Sequence, residues 1–154
     1  MPDATQLDQT YHYAMETIVA RGQAPHYTEF AKKFSVSPDD GKKLLQDLMA
    51  AGLPNWLHPN TDLIASLAPF NNLPTHYRVS VDGEQKWFAQ CGLEALAISW
   101  LFPGKTVEID APCLASGDAL HVTMRDGVIE REDPDGLCLY FNIPFRKWRD
   151  NLPF

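Results

Sequence analysis

Cys91 and Glu94 are the two residues whose types and spacing suggest chemistry. They lie in "KWFAQCGLEALAISW", residues 86–100, where an aromatic strand-like run gives way to a helix-like one. A spacing of three places both side chains beside the same helical turn. A helix entrance carries unsatisfied N–H groups and a partial positive charge, so a cysteine there is expected to have a lowered pKa and more thiolate. The thiolate is both a nucleophile and a soft-metal ligand. A neighbouring carboxyl can relay a proton, and its own pKa is expected to rise beside negative sulfur and apolar Trp87, Phe88 and Trp100. The pattern therefore predicts a protonated acid next to a soft nucleophile. A plainer reading stands beside it: free cysteine is among the most buried residue types, and a first-turn glutamate complements the helix dipole.

The other candidates are weaker. Cys138, in "GLCLY", sits in an apolar strand-like run and reads as a packed core thiol, or as a second thiol if that strand borders Cys91. Cys113 follows Pro112 and forms a turn with Ser116 and Gly117; a zinc knuckle would need more cysteines. Three sparse cysteines make no disulfide framework, so reduced thiols are expected. The five histidines show no H-x-x-x-H spacing, and neither a Gly-rich phosphate loop nor a Ser-His-Asp arrangement is visible.

The elements that must position Cys91 and Glu94 fall into two segments. Over 5–21, Leu7, Tyr11, Ala14, Met15, Ile18 and Val19 share one face at helical spacing, and Gly22 ends the helix. Thr28 is expected to begin a second helix. Ser37, with Pro38 at N1, begins a third that Gly52 stops. The "FSVS" between them resembles a helix-turn-helix corner, and "WLHPNTDLIASLAPF" a short strand and wing. Residues 1–70 thus read as a three-helix, winged-helix-like domain, and 68–75 ("APFNNLPT") as a linker.

From 75 to 154 the period changes to two. Tyr77, Val79 and Val81 alternate before an Asp82-Gly83 hairpin turn. A helix is expected over 92–102, followed by strands in "KTVEIDAPC", "ALHVTMRDG", "VIERED" and "GLCLYFNIP". The expected class is α+β: a helical domain, then a mostly antiparallel β domain with one inserted helix.

Composition excludes some partners. Apolar residues make up 45% and charged residues 21%, as in ordinary globular chains, and the net charge of −7 disfavours an electrostatic grip on nucleic acid or an anionic membrane. Residues 1–74 carry five Lys/Arg against eight Asp/Glu, net −3, and the third helix opens with Asp39 and Asp40 where a DNA reader would place base contacts. The start shows no signal peptide, and the longest apolar run, 93–103, is too short to cross a bilayer. A cytoplasmic location is expected.

Taken together, "PFNNLPTHYRVSVDG", "KWFAQCGLEAL" and "KTVEIDAPCLASG" resemble the organomercurial (alkylmercury) lyase family. There an aromatic strand followed by Cys-x-x-Asp carries the first catalytic cysteine and the catalytic aspartate; here the pattern is Cys91-Gly92-Leu93-Glu94. The family's later Cys-x-x-Thr-Gly turn, regarded as structural, looks like 113–117. The resemblance implies protonolysis of a carbon–mercury bond without a cofactor. Cys91 would bind mercury as thiolate, and Glu94 would protonate the leaving carbon. A second cysteine would share the mercury, and Hg(II) would pass to a small thiol or thiol carrier. Two departures stand out. Glu94 replaces aspartate, and the chain stops at "RKWRDNLPF", about where the segment with the second catalytic cysteine should begin. From a different class, a non-catalytic soft-metal-binding module or a metal-responsive winged-helix regulator would carry the same cysteine.

Overall fold

The structure is a computed structural model that describes residues 4–52, 54–140, 143, 144 and 147. The chain divides into two compact units, Met1–Leu67 and Ala68–Phe154. The class is α+β.

The first unit holds three helices and a hairpin: α1 (Ala4–Arg21), α2 (Tyr27–Phe34), α3 (Pro38–Ala50), β1 (Asn55–Leu57) and β2 (Ile64–Leu67). Local chemistry sets most of the boundaries. The Ser37 hydroxyl accepts from the Asp40 amide and Pro38 occupies the first turn, as expected. The start of α2 differs from expectation. His26, not Thr28, is its cap, in a reciprocal box where the His26 N–H donates to Glu29. Gly22, in the left-handed region at φ 78°, closes α1. Ala14, Ile18, Phe30, Leu45 and Leu48 fill the core. Helices α2 and α3 approach closely at Gly41, where a methyl group would lie 2.6 Å from the Tyr27 carbonyl oxygen.

In the second unit the antiparallel strands β3 (Phe70–Asn71), β4 (Arg78–Val81), β5 (Glu84–Ala89), β6 (Thr106–Pro112), β7 (Ala119–Arg125) and β8 (Val128–Asp133) pair in the order β3-β5-β4-β6-β7-β8. The β4–β5 turn is the expected Asp82-Gly83, both at positive φ. Between β5 and β6 lie α4 (Gly92–Ala97) and a 3-10 turn (Ile98–Leu101), so the expected single helix over 92–102 changes pitch after Ala97. Val79, Trp87, Ala89, Ala95, Ile98, Phe102, Val107 and Ile109 are buried, and Trp87 meets Phe102 edge-on at 4.8 Å.

Two expectations fail here. The stretch 68–75 is not a free linker: Phe70 pairs with Ala89, Asn71 with Phe88, and Phe70 is buried. Nor do the described residues of "GLCLYFNIP" form a strand. Residues 137–140 make no ladder, and Cys138, Leu139 and Tyr140 are exposed. Pro134 lacks an amide for a ladder, and Gly136 sits at φ 81°, off the extended region. Phe141 and Asn142 of that run, and all of "RKWRDNLPF" except Lys147, lie outside the described residues.

Candidate active site

Strand β5 delivers the site. Its last residue, Ala89, donates its amide to the Tyr77 carbonyl at 3.0 Å, and the Gln90 amide donates to the Pro69 carbonyl at 3.1 Å. The chain then turns at Cys91, whose backbone is extended (φ −153°, ψ 176°) and whose carbonyl accepts from Ala95 to open α4. Cys91 is the helix cap and Glu94 lies in the first turn, as the spacing predicts.

Their side chains act on each other: Glu94 contributes to raising the Cys91 thiol, and Cys91 contributes to lowering Glu94. The acid strengths depart from expectation in one case. Burial pushes the Cys91 thiol up to about 11, with Glu94 adding to the rise and the Glu94 and Leu93 amides opposing it. The expected lowered pKa is therefore wrong. A helix of six residues offers a weak dipole, and the sulfur is half-buried beside an acid. Glu94 is raised to about 7, as expected, by burial, with the Cys91 thiol opposing. Trp100 contributes little to that burial: it is 71% exposed and lies against Gly127.

Two further residues converge on the turn after Cys91. A methyl group at Gly92 would lie 2.9 Å from Leu139 Cδ2 and 3.5 Å from Tyr77 Cε1, so glycine there permits a close approach. Tyr77 is itself held firmly. The Thr75 hydroxyl accepts from the Tyr77 amide at 3.2 Å and donates to the Ala89 carbonyl at 2.7 Å. Burial, and secondarily the Cys91 sulfur, raises the Tyr77 phenol, while the Gly92 amide opposes. Sequence reasoning missed both residues as parts of the site. Alternation with Val79 and Val81 could have placed Tyr77 on the helix-bearing face; nothing local signals Leu139.

The remaining cysteines sit apart in character. Cys138 is exposed rather than a core thiol, but it precedes Leu139, so its segment borders the site. Cys113 lies in the expected turn, with its carbonyl accepting from Gly117 at 2.8 Å. The Ser116 hydroxyl first, then the Ser116 and Ala115 amides, hold its thiol below the ordinary range. Among the histidines, His26 caps α2 and His121 Nδ1 lies 2.9 Å from Asp110. Among the described residues no group of three or more His, Cys, Asp or Glu is arranged to hold a metal ion. A groove of about 350 Å³, lined in part by His76, Arg78, Asp110 and Leu120, includes neither Cys91 nor Glu94.

The chain belongs to the alkylmercury lyase family, whose model (MerB: Alkylmercury lyase) matches residues 70–152. It is an organomercurial-lyase-like protein. Among solved structures it is similar to the mercury-bound form of MerB2, with a TM-score of 0.56 and 17% identity over 85% of this chain and 68% of that one. That likeness is one of fold. No curated protein matches the chain.

Proposed function

We propose that Cys91 and Glu94 carry out protonolysis of a carbon–mercury bond. The observation that supports this most is their shared place at one helix entrance, Cys91 as the cap and Glu94 in the first turn, where each shifts the acid strength of the other. In the free protein the sulfur is the stronger base and keeps its proton. A soft organomercurial cation binds sulfur far more readily than a proton does, and the displaced thiol proton passes to ionised Glu94. The products of this first step are an organomercury thiolate on Cys91 and a neutral Glu94 carboxylic acid.

In the second step the carbon–mercury electron pair takes the Glu94 proton. Hydrocarbon leaves, Glu94 is ionised again, and Hg(II) remains on Cys91. An incoming thiol then takes the metal away. Loss of the Cys91 thiol proton on mercury binding removes an influence that had favoured ionised Glu94, so the acid holds its proton more tightly when it is needed. Cys138, exposed and one residue from Leu139, is our candidate for a second protein thiol sharing the mercury. Small thiols or a thiol carrier complete the removal.

We assign the helical segment 1–70, winged-helix-like in its order of elements, a structural role. Asp39 and Asp40 open α3 where a DNA reader needs positive charge. None of the helices among the described residues is long and apolar enough to cross a membrane, and we place the protein in the cytoplasm. Incubation with an organomercurial and excess small thiol, followed by detection of free hydrocarbon, tests the activity. Stoichiometric mercury uptake without hydrocarbon would instead identify a soft-metal-binding module.

A further inference from the structure

We infer that Tyr77 and Leu139 form the subsite for the organic group of the organomercurial, with Leu139 setting the size it accepts. This rests on Cys91 being the mercury-binding thiol. Two-coordinate mercury is linear, so an organic group on Cys91-bound mercury projects directly away from the sulfur. It needs an apolar surface beside the helix entrance. The surface over Gly92, the residue immediately after Cys91, is such a place: it carries no side chain of its own and is covered by Leu139 and Tyr77.

Two apolar side chains from distant parts of the chain meet there. Leu139 Cδ2 and Tyr77 Cε1 would stand 2.9 Å and 3.5 Å from a methyl group at Gly92. They differ in how firmly they are held. The Tyr77 main chain is tied through the Thr75 hydroxyl to Ala89, two residues before Cys91. Leu139 is 48% exposed, on a stretch without ladder partners. Tyr77 thus stands on an anchored stretch of main chain, and Leu139 is the more adjustable of the two. Leu139 yields to a bulky substituent only at the loss of its contact over Gly92. Even a methyl group entering there must push Leu139 aside, and an aryl group must push it further.

The test separates capture from cleavage. A parent with Cys113→Ser and Cys138→Ser leaves Cys91 as the one thiol, and intact-mass analysis follows its uptake of methylmercury and phenylmercury. Leu139→Ala is expected to raise the phenyl-to-methyl ratio of capture rates by about tenfold, the scale of a small change in an apolar pocket. Leu139→Phe is expected to lower it. Leu139 is half exposed, so neither change threatens the fold. An unaltered ratio in both variants, with Cys91 still capturing both reagents, overturns the subsite and leaves the role of Cys91 standing. If Cys91 captures neither reagent in the parent, the mercury-binding reading fails and the subsite fails with it.

Discussion

Cys91 caps the helix that carries Glu94 in its first turn, and burial raises both groups, to about 11 and about 7. The resting site is therefore a protonated sulfur beside an acid that is roughly half ionised near neutral pH, not a standing thiolate. Mercury, rather than the helix dipole, is what removes the thiol proton. This ordering sets the pH behaviour of each step.

Cleavage from a preformed Cys91 adduct needs neutral Glu94. Its rate is expected to be highest below pH 7 and to fall as pH rises through about 7 or somewhat higher, since the adduct lacks the thiol that had lowered this acid. Single-turnover hydrocarbon release across pH 5–9 measures it. A rate that climbs through this range would mean that Glu94 acts as a base in the slow step.

Stability should carry the mark of the same group. The folded state holds the Glu94 proton more tightly than the unfolded state, in which a glutamate titrates near its ordinary value of 4.5. The stabilising contribution is thus complete below about pH 4.5 and is lost as pH rises through about 7. Glu94→Gln removes this dependence. The melting temperature of the parent, relative to that of the variant, is expected to drop between pH 4.5 and 7; parallel curves would place Glu94 in an ordinary solvated setting.

Alkylation should distinguish the thiols in an order that the helix-entrance argument reverses. Cys113, with Ser116 favouring its thiolate, is expected to react with iodoacetamide before Cys91 at neutral pH, as peptide mapping would read. Ser116→Ala should slow Cys113 and leave Cys91 unchanged. Faster labelling of Cys91 at neutral pH would show that burial does not govern its sulfur.

What was legible in the sequence was what local chemistry decides. Ser37-Pro38 fixed the start of α3 because a cap needs only the next three residues, and Asp82-Gly83 fixed a hairpin because its positive φ angles favour those residue types. The Cys-x-x-Glu spacing sufficed to place both groups on one turn. The acidity of Cys91 was not legible, because burial from elsewhere in the fold outweighs a six-residue helix. Phe70–Asn71 escaped notice as a two-residue strand among prolines and asparagines. "GLCLY" misled in the other direction: apolar residues suggested a core strand, whereas Leu139 instead reaches over Gly92 from an unpaired stretch.

The helical unit offers a packing test. Gly41→Ala would place a methyl group 2.6 Å from the Tyr27 carbonyl oxygen and 2.7 Å from Ala31 Cβ, forcing α2 and α3 apart. A loss of roughly 1–3 kcal/mol is expected from overpacking of this kind. Urea denaturation reads it directly, and an unchanged midpoint would show that the helices separate freely.

The central claim, that Glu94 supplies the proton to carbon while Cys91 holds mercury, is tested most directly by comparing parent, Glu94→Gln and Cys91→Ser in single-turnover hydrocarbon release. Glu94→Gln should capture the organomercurial on Cys91 but release hydrocarbon about 10²–10⁴-fold more slowly, the usual scale for losing a general acid. Glu94→Asp should retain or improve activity by restoring the family's acid, and Cys91→Ser should lose capture and cleavage together. Release from the Glu94→Gln adduct at the parental rate would contradict the account and reduce the carboxyl to a partner of the helix dipole.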